Sequence, residues 1–356
     1  MEIGGRFNVE DRIDPQHPIR EIRRQCDLAL QALSEHFDEI GAAHGRPSTP
    51  PERLLKAKVP LALYSVRSDR MFCERLNYNL LFQWFLDMNP SEAAFDASPF
   101  RQNQTRLIQH EVADLFFSEV VELARAPKWV SNGHFTVDGT LIEAWASMKS
   151  FKPKRGDRSG PGPGSPWSDF SGQPRKNDTH GSTTDPEAKL VRKNDGDKAR
   201  LCFGAHAGDG ESERPVGVAR CAPRGRRARV GGGGRWRDRT TQPGLHAAER
   251  RRRPWLSHRD LHRRTARGKD RAAPRRSWTR ATQRGVKRNA TWRASQKVRK
   301  RIGEIFGWMK TTGNFRKSRD RGVERTHAAA QYVAAACNLV RMAKLMITAP
   351  PNLAEA

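Results

Sequence analysis

The sequence has no apolar run approaching the ~20 residues that span a bilayer, which leaves no membrane-embedded reading for the chain. Its five cysteines (Cys26, Cys73, Cys202, Cys221, Cys337) are scattered, and no CxxC pair exists. Neither a disulfide framework nor a zinc site is expected from them. Met1 to Glu10 lacks the basic and apolar regions of a signal peptide. The expectation is a cytoplasmic protein with no membrane partner. Acid is also scarce: 39 Asp and Glu stand against 66 Lys and Arg, a formal net charge of +27. An excess of that sign points to a polyanionic partner, nucleic acid first.

The scarcity is sharpest between residues 204 and 290. These 87 positions hold no Ile, Phe, Met or Tyr, and only four Val and three Leu. They carry 25 Lys and Arg against 7 Asp and Glu, so 18 of the chain's 27 excess positive charges lie here. So little apolar surface with so much charge cannot offset the entropy of ordering a chain. A basic run is ordinarily a nucleic-acid-binding tail, but this one sits between two well-patterned regions.

Outside that interval the pattern is strong, and 356 residues suffice for two domains. Ile19, Ile22, Leu28, Leu30, Leu33 and Phe37 recur near helical spacing over 18–40. Thr49-Pro50-Pro51-Glu52 reads as a capping box. It opens a helix from Arg53 to Val66 that Pro60 should kink. Ser68-Asp69 opens another, and Ser98-Pro99 caps a fourth running to about Arg125. Residues 15–126 therefore read as an all-helical domain. Its last helix begins Phe100-Arg101-Gln102-Asn103-Gln104-Thr105-Arg106. Arg, Gln and Asn can pair with base edges, so Arg101, Gln102, Asn103 and Arg106 are either a helix–turn–helix reader or an ordinary solvated face.

Phe135 and Val137 alternate with polar neighbours in His134-Phe135-Thr136-Val137-Asp138-Gly139-Thr140-Leu141-Ile142. This reads as a short strand ending at Asp138, a turn at Gly139 and a second strand from Leu141. A carboxylate held rigidly at a strand end suits a hard cation; the plain alternative is an Asp that shapes the turn. Lys149, Lys152 and Lys154 lead into a Gly/Pro/Ser-rich loop that either tracks phosphates or merely links. Leu201-Cys202-Phe203 reads as a third strand. After about Ala294 a helical face returns with Val298, Ile302, Ile305, Phe306 and Met309, and a last helix covers about Thr326 to Met346.

Three blocks of residues carry a resemblance. The first holds Gly45-Arg46-Pro47, Leu54-Leu55, Tyr64 to Ser68 and Asn77 to Phe85. The second is the Asp138 stretch with Lys149 to Lys154, Asn177 to His180 and Asp185 to Ala188. The third runs from Arg299 to Lys317 and includes Ile305-Phe306-Gly307-Trp308-Met309-Lys310. Together, over about two-thirds of the chain, they resemble the bacterial insertion-sequence DDE transposases of the insertion-sequence-five type.

The resemblance implies an α+β protein, an N-terminal helical domain (15–126) followed by an RNase H-like α/β catalytic domain. The latter is split into 130–203 and 294–347 by the basic segment 204–293. In such enzymes three carboxylates hold two divalent ions, Mg2+ by expectation, that activate a water or a DNA 3′-hydroxyl and stabilise the leaving oxygen. Asp138 matches the first carboxylate and metal ligand. The second should lie in a strand reading roughly Gly-Ala-Asp-Lys-Gly-Tyr-Asp, which the chain lacks. Arg253-Pro254-Trp255-Leu256-Ser257-His258 stands in the corresponding interval. The genetic code permits CGA CCA TGG CTA TCA CAC for it, and reading one nucleotide later gives Asp-His-Gly-Tyr-His. A frameshift entering after about Phe203 and compensated before about Ala294 accounts for the lost pattern and the arginine excess together.

The third carboxylate belongs to a helical signature of Arg, three residues, Glu, six residues, Lys. Arg299 and Lys310 fix the register and put Gly303 at the Glu position. Glu304 is one residue late, about 100° around the helix, and can serve only if the helix rotates. The candidate catalytic residues are thus Asp138 and Glu304. The candidate DNA contacts are Arg101, Gln102, Asn103, Arg106, Lys149, Lys152, Lys154, Arg299 and Lys310. The implied partner is double-stranded DNA at insertion-sequence ends, bound by a homo-oligomer. The expected function is that of a transposase whose cutting and joining chemistry is defective in this copy. The alternative is a non-catalytic DNA-binding protein that inhibits active copies.

Overall fold

The computed structural model describes residues 9–40, 49–127, 129, 135–154, 175–194, 196–210, 217–222 and 303–348. The first half is helical. Helix α1 (Pro18–Gln31) starts on His17, whose Nδ1 accepts from the Ile19 N–H at 3.1 Å, with Pro18 in its first turn. Ile19, Ile22, Cys26, Ala29 and Leu30 are its buried face, one turn apart. A tight turn at Leu33 then separates α2 (Ser34–Ile40), so the segment 18–40 is two helices rather than one.

The expected helix from Arg53 to Val66 is likewise two, α3 (Pro51–Lys56) and α4 (Lys58–Leu63). Pro60 has no N–H to give the Lys56 carbonyl, and the chain breaks there instead of bending. The capping box is not formed. Pro50 is the N-cap with no side-chain hydrogen bond, and Pro51 fills the first turn. Ser68 does cap α5 (Asp69–Leu76), accepting from the Met71 N–H at 3.1 Å. Asn79 caps α6 (Leu80–Phe85) in the same way. The last expected helix of this region divides into α7 (Ala97–Gln109) and α8 (Val112–Arg125), because Glu111 adopts a left-handed conformation, φ 54°.

The strands form an antiparallel sheet. Strand β1 (Phe135–Glu143) pairs along its whole length with β5 (Arg200–Gly210). The other edge of β5 takes β4 (Lys189–Val191) and then β6 (Gly217–Ala222). Strands β2 (Phe151–Pro153) and β3 (His180–Ser182) make a separate two-stranded ribbon. The expected turn at Gly139 is absent: β1 runs straight through it. A Cβ on Gly139 would lie 3.0 Å from His206 Nδ1 on the neighbouring strand, so the glycine admits that imidazole rather than a bend. The strand at Leu201-Cys202-Phe203 is present and longer, reaching Gly210 on small buried residues, Ala205 and Ala207.

Two C-terminal helices close the structure, α9 (303–310) and α10 (Val323–Thr348). Every residue from Tyr332 to Leu339 is buried, more than two turns, so no face of α10 there reaches solvent. It packs against α1, α4 and α8, and its alanines allow close approach. The main core therefore joins α1 to α8 with α9, α10, Ile142 of β1, and Ala205 and Ala207 of β5. The helices of 15–126 and the C-terminal helices share one core, although 180 residues of chain separate them. A smaller cluster of Ala144, Ala146, Phe151, Ala188, Leu201 and Phe203 lies beneath the ribbon.

Candidate nucleic-acid interface

Strand β1 presents Asp138 half-buried, opposite Ala207 of β5. Thr140 and Ile142 follow on the same side of the strand. Ile142 anchors that side in the main core, and Thr140 Oγ1 accepts a 2.6 Å hydrogen bond from Lys310 Nζ of α9. Two of the residues singled out in the sequence, Asp138 and Lys310, are thereby brought to one side of one strand. Burial, chiefly, holds the Lys310 ammonium below the usual lysine range, and the like charges of Lys193 and Arg316 add to it. An arriving phosphate would relieve that repulsion.

The acidic set is not assembled among the described residues. Glu304 keeps 71% of its side chain exposed and sits 3.8 Å from Arg341 of α10. Gly303 lies seven residues before Lys310, two turns along the same face of α9. A Cβ there would meet nothing within 4 Å. No group of three or more His, Cys, Asp or Glu that could hold a metal ion exists among the described residues. The donor set in hand, one carboxylate with Lys310 held on Thr140 two residues along the strand, does not fit a pair of divalent cations. Arg299 and the 253–258 stretch lie outside the described residues.

A basic face is built around the ribbon. Lys149, Lys152 and Lys154 are all exposed. Lys154 donates to the Asn177 carbonyl at 2.8 Å, and its own N–H bonds the Thr179 carbonyl at 2.9 Å. Asn177 clamps the loop onto β4, its side chain accepting from the Leu190 N–H at 2.7 Å and donating to the Leu190 carbonyl at 2.9 Å. Between them lies a hollow of about 390 Å³ whose cationic lining is Arg175, Lys176 and Arg192. Arg192 and Lys193, just past β4, and Arg316 and Lys317, just past α9, were not singled out by sequence. The signal available was the Asn177 to His180 block, whose asparagine fixes the loop.

On α7, Arg101, Gln102 and Arg106 are exposed and Asn103 is half-buried, while Phe100, Gln104 and Leu107 face the core. Thr105 of the same helix accepts from Arg325 of α10 at 3.1 Å. The α7 face thus borders the C-terminal segment, and Arg101 and Arg325 both act on the half-buried carboxyl of Asp320. A second hollow, about 550 Å³, lies where α8 meets α10. Glu111, Asp114 and Glu324 line it, a charge of the wrong sign for a polyanion. No helix among the described residues is long and apolar enough to cross a membrane.

Residues 7–106 match the family described as a transposase domain (DUF772). The match runs from residue 7 through α1 to α6 and into α7, and supports a transposase family. No curated protein matches the chain, and no solved structure does.

Proposed function

We propose that this chain is a transposase of the insertion-sequence-five DDE type whose DNA-cutting chemistry is lost, leaving a protein that binds double-stranded DNA at insertion-sequence ends. The observation that carries the reading is the coexistence of a transposase domain at 7–106 with Asp138, on a β-strand beside Lys310, in one shared core. The sheet and C-terminal helices are the remnant of an RNase H-like domain on this reading. Mg2+ is the ion that such a domain would hold on Asp138, where it would activate a nucleophile. The described residues do not complete its ligand set, so no step is routed through it. What they do supply is charge: Lys310, Lys193, Arg316 and the cationic hollow at Arg175, Lys176 and Arg192 neutralise phosphates, and α7 offers side chains suited to base edges.

A second reading, a non-catalytic protein that inhibits active copies by occupying element ends or by mixed assembly, is favoured by one observation. Glu304, the acidic residue next to the signature position, is largely exposed and faces Arg341 at 3.8 Å instead of completing an acidic set with Asp138 among the described residues. Both readings place the protein in the cytoplasm and require a homo-oligomer or a mixed one. We attribute the basic segment 204–293 to a frameshift entering after about Phe203 and compensated before about Ala294; its start is strand in the structure, in β5 to Gly210 and in β6, and residues 223–293 lie outside the described residues. The gene's nucleotide sequence, translated in all frames, tests that attribution: a shifted frame without alternating apolar strands refutes it.

DNA binding is tested by gel retardation across a salt series. A face that neutralises Z phosphates gives a log–log slope of about −0.9Z. Replacing Arg175, Lys176 and Arg192 together by Gln is expected to reduce the slope by roughly 2 to 3. An unchanged slope removes that hollow from the interface.

A further inference from the structure

Trp145 is the most exposed tryptophan among the described residues, 49% of its surface open, yet its backbone is pinned. Ala144 and Ala146 on either side are buried, and the Ala144 N–H donates to the Leu201 carbonyl at 2.8 Å. The preceding residue, Glu143, is held on both sides by the segment after α9. Its N–H donates to the Arg316 carbonyl at 3.1 Å, and its carbonyl accepts from the Ser318 N–H at 2.7 Å. Lys317, between those two bonds, carries its Nζ 5.7 Å from the centroid of the Trp145 ring. The indole thus stands on a fixed stretch of backbone, outward-facing, with an ammonium near its ring. Met148, also exposed, and Lys149 follow on the same stretch.

A single exposed apolar side chain needs no explanation by itself. An outward-facing indole on a hydrogen-bonded backbone with an ammonium near its ring is a different object. An unpaired nucleotide offers its base's π-face to the indole and its phosphate to the lysine, and both contacts are indifferent to sequence. Paired bases inside a duplex keep their faces covered by their neighbours, so only an unpaired or extruded base can use such a platform. The alternative occupant, an apolar patch of a second protein, would gain nothing from the Lys317 ammonium beside the ring.

We infer that Trp145, with Lys317, is a stacking platform for an unpaired base of bound DNA, separate from the cationic surface that holds the duplex. The inference rests on the DNA-binding reading, and the experiment separates the two. Anisotropy of the full chain is measured with a blunt fluorescent duplex and with the same duplex carrying a short single-stranded extension.

The wild-type protein should prefer the extended probe. Trp145→Ala should lose that preference, weakening the extended complex about 5- to 100-fold while leaving the blunt complex unchanged. Trp145→Phe should keep a large part of it, since the stacking face remains. Equal affinities of wild type and Trp145→Ala for the extended probe overturn the platform, as does equal weakening of both probes with an unaltered melt. A change confined to sedimentation assigns Trp145 to a protein contact and likewise overturns it. If the wild type binds neither probe, the DNA-binding reading fails first.

Discussion

Gly313 is where a single methyl group should do most damage. It lies just beyond α9, in the turn that seats that helix on α10, and its N–H donates to the Trp308 carbonyl at 2.9 Å. A Cβ there would stand 2.5 Å from Val333 Cγ1, 2.8 Å from the Met309 carbonyl oxygen and 3.2 Å from Met309 Cα. Carbon atoms pack at about 3.5–4.0 Å, so the first contact is about 1 Å too close. Val333 has little escape, because a β-branched side chain in a helix keeps essentially one χ1 rotamer. The two Met309 atoms are backbone and cannot turn away, so α9 must lift from α10.

Overpacking of this kind costs about 1–3 kcal/mol. Gly313 is not among the positive-φ glycines, so loss of backbone freedom in the unfolded chain returns about 0.4–1 kcal/mol. A net loss of about 1–2 kcal/mol should lower the melting midpoint by roughly 2–8 °C. Gly303→Ala is the matched control with the opposite sign. Its Cβ meets nothing within 4 Å, and helix propensity alone should stabilise by up to about 1 kcal/mol. Circular dichroism melts of the full chain at one scan rate read both. A Gly313→Ala midpoint equal to or above wild type would refute the packing of α9 on α10, and with it the placement of Lys310 against β1.

Three further outcomes follow from the same structure. The Asp320 carboxyl is half-buried, and desolvation, with Asp69 adding to it, pushes its pKa above the usual 3.8 despite Lys58, Arg101 and Arg325 nearby. A raised folded pKa means this group's stabilising share is complete below the unfolded value and is lost as pH rises through the folded one. Asp320→Asn should therefore melt higher than wild type at pH 7, with the gap closing toward pH 4; a gap that widens toward acid contradicts the burial. Lys58, 7% exposed, bonds Asp69 at 2.9 Å and lies 4.1 Å from the Phe100 ring centroid. Lys58→Ala should cost about 1.5–3 kcal/mol in urea unfolding by removing the charged partner of half-exposed Asp69, and a loss below about 0.5 kcal/mol would contradict the pair. Phe116→Ala, at a fully buried α8 position in the core shared with α10, should cost about 3–5 kcal/mol, read as a lower urea midpoint at unchanged slope.

Legibility in the sequence followed the range of the interaction. Ser68 declared a helix start because its cap is three residues away, and the alanine-rich run declared α10. Glu111 gave no sign that its left-handed turn would divide α7 from α8, since nothing local demands φ 54° of a glutamate. Gly139 read as a turn because only the neighbouring strand reveals that His206 needs the space. The Asp138 strand was legible from alternation, but the Lys310 bond to Thr140 spans 170 residues of sequence. The cationic hollow is legible least of all, since Arg175 and Arg192 meet only because Asn177 ties one loop to β4.

The measurement that tests the central claim most directly is one gel: purified full-length protein, supercoiled plasmid carrying the element ends, and Mg2+ or Mn2+ against chelator. The account predicts retarded plasmid that remains supercoiled in every lane after the protein is stripped. Open circles or linear DNA that depend on the metal would contradict the loss of cutting, and plasmid that migrates freely would contradict the binding.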